Sequence, residues 1–186
     1  MKKVASFLVL AFVFSSAPSL ASDVTLFGGL QRQGKLTLQS AADAAVTETF
    51  NPKNFGVMGL RIGAVRRIFG NETTFAYSPN FIDSSAKALI LNSNLIVQTP
   101  TDAVRPYLTA GLGTIYLMAN SRCATCVSIK DIGAKFAINY GGGLKAFKGP
   151  VGIRFDARNY LIPSIQSQKL NVLEVTLGLV FRVGSN

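Results

Sequence analysis

Histidine is missing from all 186 residues, and that absence narrows the chemistry most. Ser-His-Asp hydrolysis and histidine-dependent proton transfer are excluded. Tryptophan is absent as well, and cysteine occurs only twice, at Cys123 and Cys126. Two cysteines without a histidine cannot complete a zinc site of the four-cysteine or mixed cysteine–histidine kind. No Walker-type loop, dinucleotide fingerprint or calcium loop is present, so no cofactor is expected. Beyond residue 21 there is no run of eighteen apolar residues, which excludes a helix crossing a bilayer. Internal repeats, heptads and low-complexity segments are missing too.

The first twenty-one residues read as a cleaved signal peptide. Lys2 and Lys3 form the positive start, Val4 to Phe14 the apolar stretch, and Ser19 and Ala21 the small residues before a cut at Ser22. No cysteine follows the apolar stretch, which argues against a lipoprotein. Residues 22–186 then form one domain. Lys2 and Lys3 leave with the leader, so seventeen of the nineteen basic residues face nine acids, a net charge of +8. In a cytosolic chain that excess would suggest nucleic acid. Export points elsewhere: to an anionic membrane surface, or to charges simply scattered in solvent.

What the exported part does contain is alternation. Apolar and polar residues exchange places with a period of two, about eight times over. The expected strands are Val24–Leu38, Phe55–Ala64, Phe69–Tyr77, Ala86–Gln98, Val104–Met118, Lys135–Phe147, Val151–Tyr160 and Leu170–Val183. The last of these sets Leu173, Val175, Leu177, Leu179 and Phe181 against Glu174, Thr176, Gly178 and Arg182. The polar face mixes long charged side chains with glycine, notably Gly111, Gly113, Gly141 and Gly143. Large polar groups beside positions with no side chain suit a narrow barrel interior, where inward side chains compete for volume. With lipid outside and polar groups within, the expected fold is all-β, an eight-stranded antiparallel up-and-down transmembrane β-barrel. The competing reading is a secreted β-sandwich whose apolar face is its core.

The connections point the same way. Gln39–Asn54, Ser78–Ser85, Ala119–Ala134 and Leu161–Lys169 are the longer links; Val65–Ile68, Thr99–Ala103 and Lys148–Pro150 are shorter. Alternation of long and short fits external loops and periplasmic turns.

The segments RPYLTAGLG (105–113), INYGGGLKAF (138–147), GIRFDARNYLIP (152–163) and LEVTLGLVFRV (173–183) resemble the OmpA-like and OmpX-like small eight-stranded outer-membrane barrels. The resemblance covers much of the second half, and the first half agrees by pattern. It implies a monomer in the outer membrane of a Gram-negative bacterium, with outer-membrane lipid, lipopolysaccharide and the insertion machinery as partners. Members typically end on an aromatic that this machinery reads. Here Phe181 is followed by Arg-Val-Gly-Ser-Asn. Histidine-dependent barrel enzymes of this size are not expected, and the chain is read as no enzyme.

Two groups of residues remain as candidates. Arg61, Glu72, Arg154, Asp156, Arg158 and Glu174 share the inward face and are expected to form a lumen charge network, because an unpaired charge there would be costly; catalysis by the Asp156 and Glu174 carboxylates is the alternative. Cys123 and Cys126 are expected to form a loop disulfide in an oxidising compartment, with a redox role as the alternative. Two functions from different classes follow: an envelope-maintaining or narrow porin-like barrel, and a surface-binding module acting through Gln39–Asn54 and Ala119–Ala134.

Overall fold

The computed structural model describes residues 23–39, 47–81, 86–119, 133–165 and 168–183. The expected signal peptide, residues 1–21, and the Cys123/Cys126 pair lie outside these residues. Ten strands follow one another: β1 Asp23–Gln33, β2 Leu36–Gln39, β3 Thr47–Phe50, β4 Asn54–Arg66, β5 Phe69–Ser78, β6 Ala86–Gln98, β7 Val104–Ala119, β8 Ala134–Lys148, β9 Val151–Ile165 and β10 Gln168–Arg182. Eight of them close into a barrel, every neighbouring pair antiparallel, with β1 hydrogen-bonded to both β4 and β10. β2 and β3 pair separately as a hairpin.

The register fixes the barrel's dimensions. A path across the strands from Asp23 passes Gly63, Glu72, Asn94, Gly111, Asn139, Tyr160 and Val172. It re-enters β1 at Gln33, ten residues from where it started. Eight strands with that stagger tilt by about 40° and enclose a cylinder of roughly 8 Å backbone radius, given strand spacing and rise. Such an interior has room for side chains and little else.

Burial is inverted relative to a water-soluble protein. Arg61, Arg154, Arg158, Lys145 and Glu174 are fully buried, while Leu95, Leu108 and Phe69 are about 70% exposed on the outer surface. Water would penalise both arrangements, and lipid removes the penalty on the second. The soluble sandwich is thereby excluded. From Leu173 to Phe181 the outward apolar row spans roughly 20 Å along the barrel axis at this tilt, the height of a thin hydrocarbon layer.

Strand placement from periodicity holds for most of the chain, with three differences. The expected first strand Val24–Leu38 breaks at Gly34–Lys35. Pairing with β10 stops at Gln33–Val172, and the Gly34 amide donates to Asn171 O at 2.8 Å. Beyond that point the chain folds into the β2–β3 hairpin, so the polar link Gln39–Asn54 contains a strand. The break leaves the even/odd parity intact, which is why alternation alone passes over it. Secondly, β9 continues past Tyr160 to Ile165 and pairs with β10 up to Ile165–Gln168, so the expected Leu161–Lys169 link shrinks to 166–167. Thirdly, the lumen is not polar throughout. Toward the end carrying the longer links it is filled by Phe55, Val57, Phe81, Ile90, Ile115, Leu117, Ile162, Leu170 and Val172. Ser78, at the same end, is the buried polar exception, and its Oγ donates to Gly56 O at 2.8 Å.

At the opposite end the β4–β5 and β8–β9 connections tighten to two residues, Arg67–Ile68 and Gly149–Pro150. Arg67 (φ 55°) and Gly149 (φ 67°) both adopt left-handed backbone, which an L-residue with a side chain resists.

Candidate functional site in the barrel lumen

The six charged residues expected from the inward parity lie on four strands, Arg61 on β4, Glu72 on β5, Arg154, Asp156 and Arg158 on β9, and Glu174 on β10, and the barrel brings all six together. Arg61 Nη1 donates to Asp156 Oδ2 at 2.6 Å and Nη2 to Glu174 Oε1 at 2.8 Å. Arg154 Nη1 reaches Glu72 Oε2 at 2.5 Å and its Nε reaches Asp156 Oδ2 at 2.8 Å. Arg158 Nη2 is shared between Glu72 Oε1 at 2.7 Å and Asp156 Oδ1 at 2.9 Å. All six are at most 1% exposed.

Asp156 is the hub. It accepts from three guanidinium groups and from the Tyr107 hydroxyl. Neutral partners add to the shell: Gln31 Nε2 donates to Glu174 Oε2 at 2.7 Å, and Arg61 Nη1 to Thr176 Oγ1 at 3.2 Å, while Arg61 Nε and Arg158 Nη1 find no partner among the described residues. The Arg61 guanidinium also lies 3.8 Å from the Phe27 ring centroid. A second buried pair, Lys145 Nζ to Asp23 Oδ2 at 2.5 Å, sits nearer the short-turn end. Four buried cations therefore face four buried anions inside the barrel, and this buried set carries no net charge. The protein's excess positive charge lies outside it.

Sequence reasoning missed Lys145, Asp23 and Tyr107. The signal was available: Lys145 has the inward parity of Lys135 and Asn139, and Asp23 that of Thr25 and Gln31. Each stands at the end of its strand, where parity alone does not tell a lumen residue from a rim residue.

Glycine makes the packing possible. A Cβ on Gly143 would lie 2.1 Å from Phe155 O and 2.5 Å from Tyr107 Oη, so Tyr107 can reach Asp156 only across a bare backbone. Gly143→Val is expected to cost about 1–3 kcal/mol through overpacking. Gly56→Ala, whose added Cβ would meet nothing within 4 Å, serves as the neutral control. Urea midpoints of the two refolded variants check the contrast; equal midpoints would remove the steric argument.

The short-turn mouth carries a stack. Arg182 and Arg105 place their guanidinium carbons 4.1 and 5.4 Å from the Phe147 ring centroid. Arg182 Nη2 donates to Asp102 O at 2.6 Å and Arg105 Nε to Thr101 O at 2.5 Å. At the other end Phe81, on the β5–β6 connection, points into the lumen and meets Phe55 edge-on at 5.1 Å. Its amide donates to Ala86 O at 3.0 Å.

Chemically, this arrangement holds rather than reacts. Every network carboxylate lies against guanidinium groups and out of solvent. Among the described residues no group of three or more Cys, Asp or Glu side chains is placed to hold a metal.

No protein-family model matches the sequence, and no curated protein matches it either. Among solved structures, the chain is similar to Neisserial surface protein A, with a TM-score of 0.65 at 13% identity, over 87% of this chain and 96% of that one. Weaker likenesses run to Ail, the attachment invasion locus protein of Yersinia pestis (TM-score 0.48, 15% identity, 86% of this chain and 98% of that one), and to the outer membrane enzyme PagL (TM-score 0.43, 14% identity, 87% and 99%). The Neisserial likeness concerns the fold, and it agrees with the closed eight-stranded antiparallel barrel derived above.

Proposed function

We propose that this protein is a sealed outer-membrane barrel of the OmpA-like and OmpX-like kind, which stabilises the envelope of a Gram-negative bacterium and neither conducts solutes nor catalyses a reaction. The observation that carries this reading is the filled lumen. Side chains occupy the described lumen at three levels: the Arg105–Phe147–Arg182 stack, the charge network and the Phe55/Phe81 cluster. Of the two envelope roles compatible with the sequence, this favours the structural one over the porin-like one. The outward apolar surface supports the membrane location, and the signal peptide supports export.

Two measurements test it. Protein from purified outer membranes should migrate differently before and after boiling, as small barrels folded in cold detergent do; absence of any shift, with the protein free in the periplasm, would overturn the location. Reconstituted in planar bilayers, the wild-type barrel should give no ion current above the lipid baseline, and steady openings would restore the pore.

One observation favours a second reading, surface binding. At the long-link end β9 and β10 pair beyond the residues where β8 and β1 stop pairing with them, and β2–β3 forms a hairpin of its own. These ribbons present backbone edges beyond the membrane. Deleting residues 39–53 discriminates the readings: an envelope role survives the deletion, adhesion to a host surface or partner does not.

A further inference from the structure

The short-turn end carries a one-sided charge. Outside the lumen, its described charged residues are Arg66, Arg67, Arg105, Lys148 and Arg182 against the single acid Asp102. Asp102 is engaged by Arg105, whose Nη2 lies 3.5 Å from its carboxylate. Each of the three connections at this end contributes or flanks a cation, so the positive charge runs around the rim.

Arg66, Arg67 and Lys148 are exposed, and their setting is specific. Arg66 pairs across the β4–β5 ladder with Phe69, which is 69% exposed on the outer wall. Lys148 pairs across the β8–β9 ladder with Val151, also outward and exposed. Both cations thus stand where the apolar band ends, at the depth of lipid headgroups. Arg67 occupies left-handed backbone at φ 55°, where the equivalent tight turn between β8 and β9 uses Gly149. Glycine would fit that turn with less strain, yet the position carries a guanidinium.

We infer that this rim is a binding surface for anionic phospholipid headgroups of the inner leaflet, with Arg66, Arg67 and Lys148 as its phosphate-facing groups. The inference rests on the membrane reading above. A cation held at an anionic lipid surface favours the charged lipid by about fivefold. The β4–β5 turn with Arg66 and Arg67 and the β8–β9 turn with Lys148 lie on opposite sides of the ring, so Lys148 engages a separate headgroup. Arg105 and Arg182 are already committed to Phe147 and to turn carbonyls, and contribute mainly long-range field.

The test is to reconstitute the mature chain in nanodiscs made from equal parts of phosphatidylcholine and phosphatidylglycerol, then to count the lipids retained on the protein by native mass spectrometry. The wild type should retain phosphatidylglycerol several-fold over phosphatidylcholine. Arg66→Gln, Arg67→Gly and Lys148→Gln combined should bring the ratio close to parity, while Lys87→Gln with Lys169→Gln, at the opposite end, should leave it unchanged. No preference in the wild type, a preference that persists in the triple variant, or one abolished by the Lys87/Lys169 pair would each overturn the inference. All three substitutions lie outside the lumen, and Arg67→Gly relieves backbone strain, so the triple variant should keep the wild-type boiling-dependent gel shift. A chain that inserts into neither lipid sinks the membrane reading itself, a result distinct from insertion without lipid preference.

Discussion

Asp156→Ala is expected to lower the unfolding free energy by about 3–5 kcal/mol, the cost of breaking a buried ion pair by removing one partner. The position is more exposed to that cost than an isolated pair. Its carboxylate accepts from Arg61, Arg154, Arg158 and Tyr107 together, and none of these groups has solvent to turn to. The variant lumen would hold four cations against three anions, and Glu72 and Glu174 cannot move far enough on their strands to compensate. Urea titration of the refolded barrel in detergent provides the measurement. A second substitution shows whether charge balance is the cause. Arg61→Ala restores neutrality, so the double variant Arg61→Ala/Asp156→Ala should be less destabilised than the two singles added together. Strict additivity would mean that the loss reflects packing, and an unchanged midpoint in Asp156→Ala would mean that the network does not stabilise the barrel.

Phe81→Ala should cost about 3–5 kcal/mol, the range for truncating a fully buried aromatic. Phe81 lies on a connection between strands, where exposure is the usual state, yet it is 0% exposed and packs on Phe55. Its removal leaves a void between Phe55 and the small inward residues Ala86 and Ala88, which the rigid barrel wall cannot collapse to fill. Phe75→Ala is the comparison. Phe75 points outward and is 46% exposed, so acyl chains or detergent can take the place of its ring and the loss should be smaller. Equal losses for the two would show that the long-link end is not packed as a core.

Much of the fold was legible because a barrel in lipid is governed by parity. In β6, Leu89, Leu91, Leu95 and Val97 alternate with Asn92, Asn94 and Gln98, and a single even/odd choice assigns every side chain to wall or lumen. The six network residues were found in the same way, since Arg154, Asp156 and Arg158 share one parity on one strand. What parity does not carry is depth. It gave no sign that Phe55, Ile115 and Val172, inward like Arg61, sit in an apolar zone at one end. Nor did it show that Lys145 and Asp23 meet toward the other end, across 122 positions of sequence. Depth depends on the stagger between strands, which is a property of pairing and not of any one segment. The break at Gly34 was hidden for a related reason. Alternation continues through it, and only the end of the β10 ladder shows that the strand has left the wall.

Apart from the contacts of Arg154 and Arg158 with Asp156 inside β9, the ion pairs of the lumen join the beginning of the barrel to its end: Arg61 on β4 with Asp156 and Glu174 on β9 and β10, and Glu72 on β5 with Arg154 and Arg158. No cation among them meets its carboxylate through an early hairpin alone. Any sheet that lacks β9 and β10 holds Arg61 and Glu72 without these partners, and such an incomplete barrel holds charges that must stay in contact with water. Closure and neutralisation become one event. The last two strands thus act as a latch, a half-finished barrel has little stability of its own, and assembly should be all-or-none, completed only when β10 meets β1.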